Sequence, residues 1–461
     1  MIEFLRDLVW GPWLMALFLL TGIYFTVRFR CFQLVRANVW WRETAGSLAG
    51  EKSTEEKKGQ FASACTALAA TVGTGNIAGV ATAVTMGGPG AVFWMWVSAL
   101  FGMMTAYAEV YLGRKYRYLG LDSRPICGPY AYLERGLGMR GLACLYAVFC
   151  ILSSLGMGSM VQANSVAESA AFSAGIPLTV TGFVLTALVM AVIFGGARRI
   201  SQAAVGLVPL SAAFYMALCG VVILTNFTEI PSVFVRIFRD AWSADSAAGG
   251  MAGLLVSRAV RYGISRGVFS NEAGLGSLAV LHGEAEEEEG AASGEGKPGC
   301  SRSQSRERFA CEQGMWAVFE VFFDTMVSCT MTALVLLCGG DTMNGYSGSA
   351  GVAACFSSCF GNAGGILVSL SMSLFAFATI IAWFYLGRQA LAYLTDGVSW
   401  QRVAVLCYGF FYLNAVFFGC VARLTLVWNL SDLFNGLMAV PNLAGVLLLR
   451  KEVRLPAWRQ R

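Results

Sequence analysis

The sequence is poor in charge and almost free of histidine. Of its 461 residues, 33 are Lys or Arg and 28 are Asp or Glu. Charged residues thus make up 13% of the chain, whereas soluble domains carry about 25%. The single histidine leaves almost no material for a histidine metal site or proton relay, and a formal net charge of +5 does not indicate a nucleic-acid partner. These shortages argue against a large soluble enzyme, a disordered chain and a coiled coil.

What the sequence has instead is hydrophobicity. Apolar and aromatic residues make up 56% of the chain, which is typical of a polytopic membrane protein. A helix that crosses the hydrocarbon core needs about 20 mostly apolar residues. On that criterion we predict an all-α protein with eleven transmembrane helices, near residues 8–28, 61–86, 91–113, 142–166, 177–196, 204–225, 249–281, 312–338, 363–388, 403–424 and 426–449.

The positive charges predict how these helices are oriented, because cytoplasmic connections are enriched in Lys and Arg. The connections after the first, third, fifth, seventh and ninth helices, together with the C-terminus, hold 26 of the 33. The opposite side holds four. We therefore expect the N-terminus outside and the C-terminus inside. Two amphipathic segments, residues 30–42 and 230–241, are predicted to lie in the membrane interface.

Two of the predicted helices share an unusual pattern. Residues 61–86 and 249–281 each contain Asn-x-Ala-Gly, beginning at Asn76 and at Asn271, with further glycines nearby. Each helix opens a block of five, and because five is odd the second block must be inverted relative to the first. Inverted repeats whose first helices are interrupted near the bilayer midplane are typical of secondary transporters. The alternative is that the glycines only allow close packing of helices.

Six motifs are long and unusual enough to indicate a family. They are TALAATVGTGNIAGVATA at 66–83, GGPGAVFWMWVSALFGM at 87–103, GSMVQANSVA at 158–167, RYGISRGVFSNEAGLGS at 261–277, FEVFFDT at 319–325 and LSDLFNGLMAVPNL at 430–443. Together they resemble the alanine or glycine:cation symporter (sodium:alanine symporter) family over nearly the whole chain. The resemblance implies a leucine-transporter-type fold of five plus five helices with one extra N-terminal helix. It also implies sodium-coupled import of small neutral amino acids such as alanine and glycine.

The repeat divides the chain into segments. We predict an extra N-terminal transmembrane helix and an interfacial helix in 1–60, the first five-helix repeat in 61–228, an interfacial segment in 229–248, the second, inverted repeat in 249–449 and a cytoplasmic tail in 450–461. Within the second repeat, residues 283–308 are polar and charged and are predicted to form a flexible cytoplasmic loop.

An amino acid is a zwitterion, so its site needs two complementary ends. The half-helix that starts near Gly75 offers the amides of Gly75, Asn76 and Ile77, which suit a carboxylate. The half-helix that ends near residues 267–269 offers free carbonyls, which suit an ammonium group or Na⁺. The predicted substrate-binding residues are Thr74, Gly75, Asn76, Gln162, Phe269, Ser270 and Trp383.

Sodium is a hard cation and prefers oxygen ligands. The fold that the resemblance implies has an ion between its first broken helix and residues 363–388. The predicted sodium ligands are the hydroxyl of Thr379 and the carbonyls around Thr71, Val72 and Thr74.

Several of these side chains have a second interpretation. Trp383 lies one helical turn after Thr379 and would keep the cavity small, but it could also be an ordinary packing aromatic. Gln162 could make only an interhelical hydrogen bond, and Phe269 could serve only in packing. Relatives carry a hydroxyl residue where this chain has Ala378. That difference leaves proton coupling, or a different substrate, as an alternative.

Ionisable groups inside transmembrane helices are candidates for function. We predict gating roles for Asp324, Arg261 and Arg266, and we interpret His282 as interfacial. No catalytic residue and no cofactor are predicted, and Na⁺ is the coupling ion. An enzyme would need an activated nucleophile or metal ligands, and a channel would need pore-lining rings. We therefore expect a symporter in a prokaryotic plasma membrane, with the lipid bilayer, Na⁺ and a small amino acid as its partners.

Overall fold

The computed structural model describes residues 1–48, 55–122, 124–195, 197–242, 258–284, 302–339, 346 and 348–456. The α-helices are α1 (Ile2–Val9), α2 (Pro12–Arg28), α3 (Phe32–Val35), α4 (Ala37–Glu43), α5 (Ala45–Leu48), α6 (Glu55–Thr71), α7 (Ala78–Gly87), α8 (Gly90–Lys115), α9 (Pro129–Ala131), α10 (Arg140–Ser153), α11 (Gln162–Ala174), α12 (Leu178–Ile193), α13 (Ala197–Thr225), α14 (Ile230–Ala241), α15 (Arg258–Asn271), α16 (Ser277–Leu281), α17 (Arg302–Val321), α18 (Thr330–Cys338), α19 (Gly348–Phe360), α20 (Asn362–Leu394), α21 (Gln401–Val421) and α22 (Leu424–Leu448). One antiparallel hairpin, β1 (Tyr118–Leu119) and β2 (Pro125–Ile126), is the sheet within these residues.

Eight helical stretches in the described part of the chain are long and apolar enough to cross a membrane. They are Ile2–Arg28, Gly90–Lys115, Arg140–Ala174, Val205–Thr225, Gln304–Cys338, Asn362–Leu394, Gln401–Val421 and Leu424–Leu448. Two helices bent by 54° at a break, Phe61–Thr71 and Thr74–Gly87, make a ninth if they form one span.

Two more predicted helices have shorter counterparts. The segment 177–196 contains α12, which has 16 residues. The segment 249–281 contains α15 and α16, and its residues 249–257 lie outside the described residues. The predicted all-α architecture is therefore confirmed, whereas the number of eleven spans stays a prediction.

The two helices with the repeated Asn-x-Ala-Gly pattern are both interrupted. Residues 72–77 separate α6 from α7, and residues 272–276 separate α15 from α16. In the second break, Gly274 and Gly276 have φ angles of 93° and 79°, which favour glycine. A methyl group on Gly274 would also overlap the ring of Phe18. Backbone conformation and lack of space thus both require glycine at this break.

Two of the long helices contain a π-helical segment. Ser154–Val161 joins α10 to α11, and Phe322–Cys329 joins α17 to α18. Such segments are rare and occur frequently at functional sites. The first ends directly before Gln162 and the second contains Asp324, so two of the predicted functional side chains stand where the helix is irregular.

Helix α8 lies at the centre of the packing. It contacts α2, α15 and α17, and most of its side chains are buried. The amphipathic helix α14 packs on the first turns of α8 with Val233, Ile237 and Ala241 buried. Asp240 of α14 accepts a hydrogen bond from the Gly90 amide at 2.7 Å. One predicted interfacial segment is therefore a single amphipathic helix, and its position at a membrane surface stays a prediction.

The segment 283–308 is not entirely the flexible loop that we predicted. Residues 285–301 lie outside the described residues, but α17 already begins at Arg302 and carries the last part of the segment as helix. The other predicted interfacial segment, residues 30–42, holds the short helices α3 and α4.

The first part of the predicted tail is docked on the helices, and residues 457–461 lie outside the described residues. Glu452 accepts hydrogen bonds from Lys115, at 2.7 Å, and from Tyr116. Burial by itself raises the pKa of Glu452, but these two hydrogen bonds and the positive charges of Lys115 and Arg454 together lower the pKa below its usual value. The carboxylate therefore stays charged and holds the tail against the end of α8.

Candidate functional site

The first break presents backbone groups between α6 and α7. The backbone of Gly73 is extended, and its amide donates to Asn76 Oδ1 at 2.9 Å. The amides of Asn76 and Ile77 donate to the carbonyls of Gly73 and Thr74 at 3.3 and 3.2 Å. Our prediction that these two amides face a carboxylate is therefore wrong, because the 3₁₀ turn uses them internally. The third amide of the predicted carboxylate site, that of Gly75, has no acceptor in the described part of the chain.

Gln162 holds this break in place. Its Oε1 accepts hydrogen bonds from the Thr74 amide at 3.0 Å and from the Thr74 hydroxyl at 2.9 Å. Its Nε2 donates to the Met157 carbonyl at 3.2 Å, within the π-helical segment. Two of the predicted substrate-binding residues are thus in direct contact, and an irregular helix supports the amide that joins them.

Thr379 of α20 faces the same break. A methyl group on Gly73 would lie 2.5 Å from Thr379 Oγ1, so the absence of a side chain lets the hydroxyl approach the backbone. The Thr379 hydroxyl donates to the Phe375 carbonyl at 3.1 Å, and its oxygen lone pairs remain available. Helix α6 ends at Thr71, so the carbonyls of Thr71 and Val72 lie beyond the regular hydrogen-bonding pattern. The structure thus brings the Thr379 hydroxyl next to Gly73, which lies between the predicted sodium ligands Val72 and Thr74 in the chain.

Asp324 connects the two breaks. Its Oδ1 accepts from Asn76 Nδ2 at 2.6 Å, and its Oδ2 accepts from the hydroxyls of Ser270 and Thr325 at 2.7 and 2.8 Å. The side chain is fully buried, and the ion pairs of the described residues do not include it. We predicted Asp324 as a gating residue. Its contacts are with two predicted substrate-binding residues and not with a gating arginine.

Both predicted gating arginines are paired with acids. Arg261 pairs with Asp7 of α1 near the surface, where the side chains are 33% and 45% exposed. Arg266 pairs with Asp432 of α22 in the interior, where they are 3% and 9% exposed. The second pair lies close to the breaks, because Arg266 is on α15 five residues before Asn271.

Phe269 lies between the inner ion pair and the first break. Its ring is 4.8 Å from the ring of Trp428, measured between centroids, and Trp428 in turn lies under the Arg266 guanidinium. A methyl group on Gly75 would come within 3.2 Å of the Phe269 ring. The aromatic side chain thus covers the backbone of the break, next to the Gly75 amide.

Sequence reasoning missed the role of Glu272. Trp383 Nε1 donates to Glu272 Oε1 at 2.9 Å, and the Ser277 hydroxyl donates to Glu272 Oε2. The sequence did contain a signal, because Glu272 is an acid inside a predicted transmembrane helix. It also occupies the position in the second Asn-x-Ala-Gly pattern at which the first pattern has the apolar residue Ile77.

Sequence reasoning also missed the partners of His282. We interpreted it as interfacial, which stays a prediction, and its side chain is fully buried within the protein. Its Nδ1 lies 2.7 Å from Gln313 Oε1 and its Nε2 lies 3.1 Å from Glu320 Oε2, both on α17. Both partners lie within the helix predicted at 312–338, but its packing against the end of α16 is a tertiary contact that the sequence does not reveal. The composition of the chain shows only that histidine is scarce, and it gives no information about which residues His282 contacts.

The site residues are closed to solvent in this structure. Their exposed fraction is at most 3% for Thr71, Val72, Thr74, Asn76, Gln162, Phe269, Ser270, Thr379 and Trp383. A small ligand held among them would be fully desolvated, and its polar groups would have to be matched by the groups described above.

Comparisons with known proteins identify the family of the whole chain. The sodium:alanine symporter family matches residues 1–455. The sodium/alanine symporter AgcS of Methanococcus maripaludis is 38% identical over 460 residues, which cover 97% of this chain and 94% of that protein. The probable sodium/glutamine symporter GlnT of Bacillus subtilis is 33% identical over 449 residues, which cover 97% of this chain and 87% of that protein.

A solved structure shows the fold. A Na⁺-coupled sialic acid symporter in a substrate-bound outward-open state matches with a TM-score of 0.56. The match covers 98% of this chain and 88% of that one at 14% identity, so it concerns the fold alone. The family match and the AgcS identity both extend over nearly the whole sequence, and the chain therefore belongs to the sodium:alanine symporter family.

Proposed function

We propose that this protein, a sodium-coupled amino acid symporter of the cell membrane and not an enzyme, imports alanine and glycine by alternating access. The observation that carries the proposal is the buried first break. There Gln162 fixes Thr74, Thr379 approaches Gly73, and the Gly75 amide has no acceptor among the described residues. Such a site can hold a small zwitterion and a cation side by side without a charged pair of its own.

The substrate carboxylate is matched by the first break. The Gly75 amide supplies a donor, and α7 begins three residues later, at Ala78, with the positive end of its dipole. Thr74 and Asn76 flank it with side chains that already have defined partners, so they can orient the turn as well as contact the ligand.

The substrate ammonium group is matched by the second break. Helix α15 ends at Asn271, so the carbonyls of its last turn carry partial negative charge. Ser270 lies in that turn and connects to Asp324. Phe269 closes the cavity over Gly75, and Trp383 limits its size.

Sodium is assigned to the other side of the first break. The hydroxyl of Thr379 and the carbonyls of Thr71, Val72 and Thr74 supply the hard oxygen ligands that Na⁺ requires. These residues belong to α20, to the end of α6 and to the break that follows it. Bound Na⁺ would therefore stabilise the bend on which substrate binding depends, and this is a direct route to coupling.

The ion pairs supply the gates. Arg266–Asp432 and Arg261–Asp7 each join α15 to a helix outside the broken pair, so opening one side requires separating or moving them. Asp324 keeps Asn76 of one break near Ser270 of the other, so we include it in the gating set as a link between the two breaks.

For the membrane arrangement we propose eleven spans, with two inverted five-helix repeats after the first helix, the N-terminus outside and the C-terminus inside. The support is the 26-to-4 distribution of Lys and Arg and the correspondence of each predicted span with helix in the described residues. A prokaryotic plasma membrane is the proposed location.

An alternative substrate or coupling ion has one specific observation in its favour. Ala378, next to Thr379, offers no hydroxyl ligand to Na⁺. GlnT shows that the family includes a protein named for a larger amino acid. A proton-coupled or differently selective amino acid transporter is therefore the second candidate.

Uptake of radiolabelled alanine and glycine into proteoliposomes distinguishes these proposals. We expect accumulation of both amino acids above equilibrium when Na⁺ outside exceeds Na⁺ inside, and no accumulation without that gradient. Accumulation driven by a proton gradient instead would overturn the sodium assignment. Sodium-driven uptake of another amino acid, with none of alanine or glycine, would overturn the substrate.

A further inference from the structure

Glu272 occupies a strained and buried position in the second break. Its φ of 57° lies in the left-handed region, which is unusual for a residue with a side chain. The carboxylate is fully buried, and the ion pairs of the described residues do not include it. Such a conformation persists only when the surrounding structure holds it in place, and it is found frequently at functional sites.

What holds Glu272 is a pair of neutral donors on its two oxygens. Oε1 accepts from Trp383 Nε1 at 2.9 Å, across 111 residues of sequence. Oε2 accepts from the hydroxyl of Ser277, in the first turn of α16. The carboxylate thus fixes one end of the indole ring relative to the second break.

The other end of the Trp383 side chain is fixed by the first repeat. A methyl group on Gly158 would overlap the Cβ and Cγ atoms of Trp383, so the side chain leaves its helix directly against the π-helical segment. Gly158 lies four residues before Gln162, and Trp383 lies four residues after Thr379. The indole therefore stands beside the proposed substrate and sodium sites and is held at both ends.

We propose that Glu272 determines substrate size by positioning Trp383. The hydrogen bond from the indole nitrogen keeps the ring in one orientation, so the space for the substrate side chain stays small. Without that hydrogen bond, the buried indole N–H lacks an acceptor, and this end of the ring is no longer fixed in one orientation. This inference rests on the proposed function, since it names what limits the substrate of the same site.

The test measures selectivity, because loss of a merely structural contact would lower activity without changing which substrate is preferred. Leucine and alanine compete for sodium-driven uptake of radiolabelled alanine, and the ratio of their inhibition constants is compared between variants. Glu272→Ala and Trp383→Phe should each lower the leucine-to-alanine ratio about tenfold, the scale of one buried hydrogen bond. Because both remove the same hydrogen bond, the double variant should show no further decrease.

Two matched variants serve as controls. Glu272→Gln retains an oxygen acceptor for Trp383, and its amide nitrogen can donate to the Ser277 hydroxyl, so it should keep the ratio within about threefold of wild type. Ser277→Ala removes the donor on the other carboxylate oxygen but leaves the hydrogen bond from Trp383 in place, so it should change the ratio clearly less than Glu272→Ala does.

Three results would overturn the inference. One is an unchanged ratio in Trp383→Phe, a measurement that requires no change at Glu272. Another is a double variant in which the ratio falls by the product of the two decreases measured for Glu272→Ala and Trp383→Phe alone. The third is an effect of Ser277→Ala as large as that of Glu272→Ala. Absence of sodium-driven alanine uptake by the wild-type protein would instead remove the proposed function itself.

Discussion

Replacing Gln162 by alanine tests whether the first break is the binding site. The change leaves the Thr74 amide and hydroxyl buried without their acceptor, since Gln162 Oε1 takes hydrogen bonds from both. Each unpaired group costs about 1–3 kcal/mol, so the bent backbone loses about 2 kcal/mol or more relative to relaxed forms. At about 1.4 kcal/mol per factor of ten, the KM for alanine should rise at least about 30-fold in sodium-driven uptake by proteoliposomes.

A matched control separates binding from stability. Gln33 is equally buried and donates to Thr26 Oγ1 at 2.9 Å and to the Leu100 carbonyl at 3.3 Å, away from the breaks. Gln33→Ala should lower the thermal midpoint in detergent and leave the KM for alanine unchanged. A KM in Gln162→Ala within about threefold of wild type would refute the reasoning, because the loss of two hydrogen bonds at the binding site should raise KM by more than that. An equal rise of KM in Gln33→Ala would also refute it.

The remaining predictions concern sodium, the inner ion pair and topology. Gly73→Ala should raise the sodium concentration for half-maximal uptake at least about tenfold, because its methyl group displaces Thr379. The control is Gly206→Ala, whose methyl group would lie in open space and should not change that concentration. Equal sodium concentrations for half-maximal uptake in both variants would contradict the sodium assignment. Arg266→Met should lower the free energy of unfolding by about 3–5 kcal/mol, because it leaves Asp432 buried without its partner. Adding Asp432→Leu should restore most of that loss in thermal unfolding. A double variant no more stable than Arg266→Met would show that the two residues are not an isolated buried ion pair. A fluorescent protein fused to the C-terminus should fluoresce and a phosphatase fused there should be inactive, and the reverse result would invert the proposed topology.

Much of the fold could be predicted from composition and periodicity. Membrane helices are long and uniformly apolar, so each predicted segment overlaps helix in the described residues. The interruptions were also visible, because clustered glycines weaken a helix and a buried asparagine amide in an apolar segment needs partners within the protein. Segment ends were less accurate, as at Arg302, because polar residues continue a helix beyond the apolar region that the hydropathy marks.

The site was predictable only as far as local sequence determines it. Thr74 and Gly75 follow from the break itself, and Gln162 follows from a family motif. The pairing of Asn76 with Asp324, 248 residues away, and of Glu272 with Trp383 depends on tertiary packing that no spacing rule gives. The use of the Asn76 and Ile77 amides within a 3₁₀ turn was missed because a helix start was expected to leave all of its first amides free.

The complete burial of Thr74 and Gln162 has a consequence for how affinities of this transporter are interpreted. A conformation whose site no solvent reaches cannot take up a ligand directly, so binding must follow an opening step. The measured dissociation constant is then the intrinsic one divided by the fraction of molecules that are open. A substitution far from the breaks that destabilises the closed state relative to the open state would therefore increase the apparent affinity and slow the return to the closed state, without changing any contact to the amino acid.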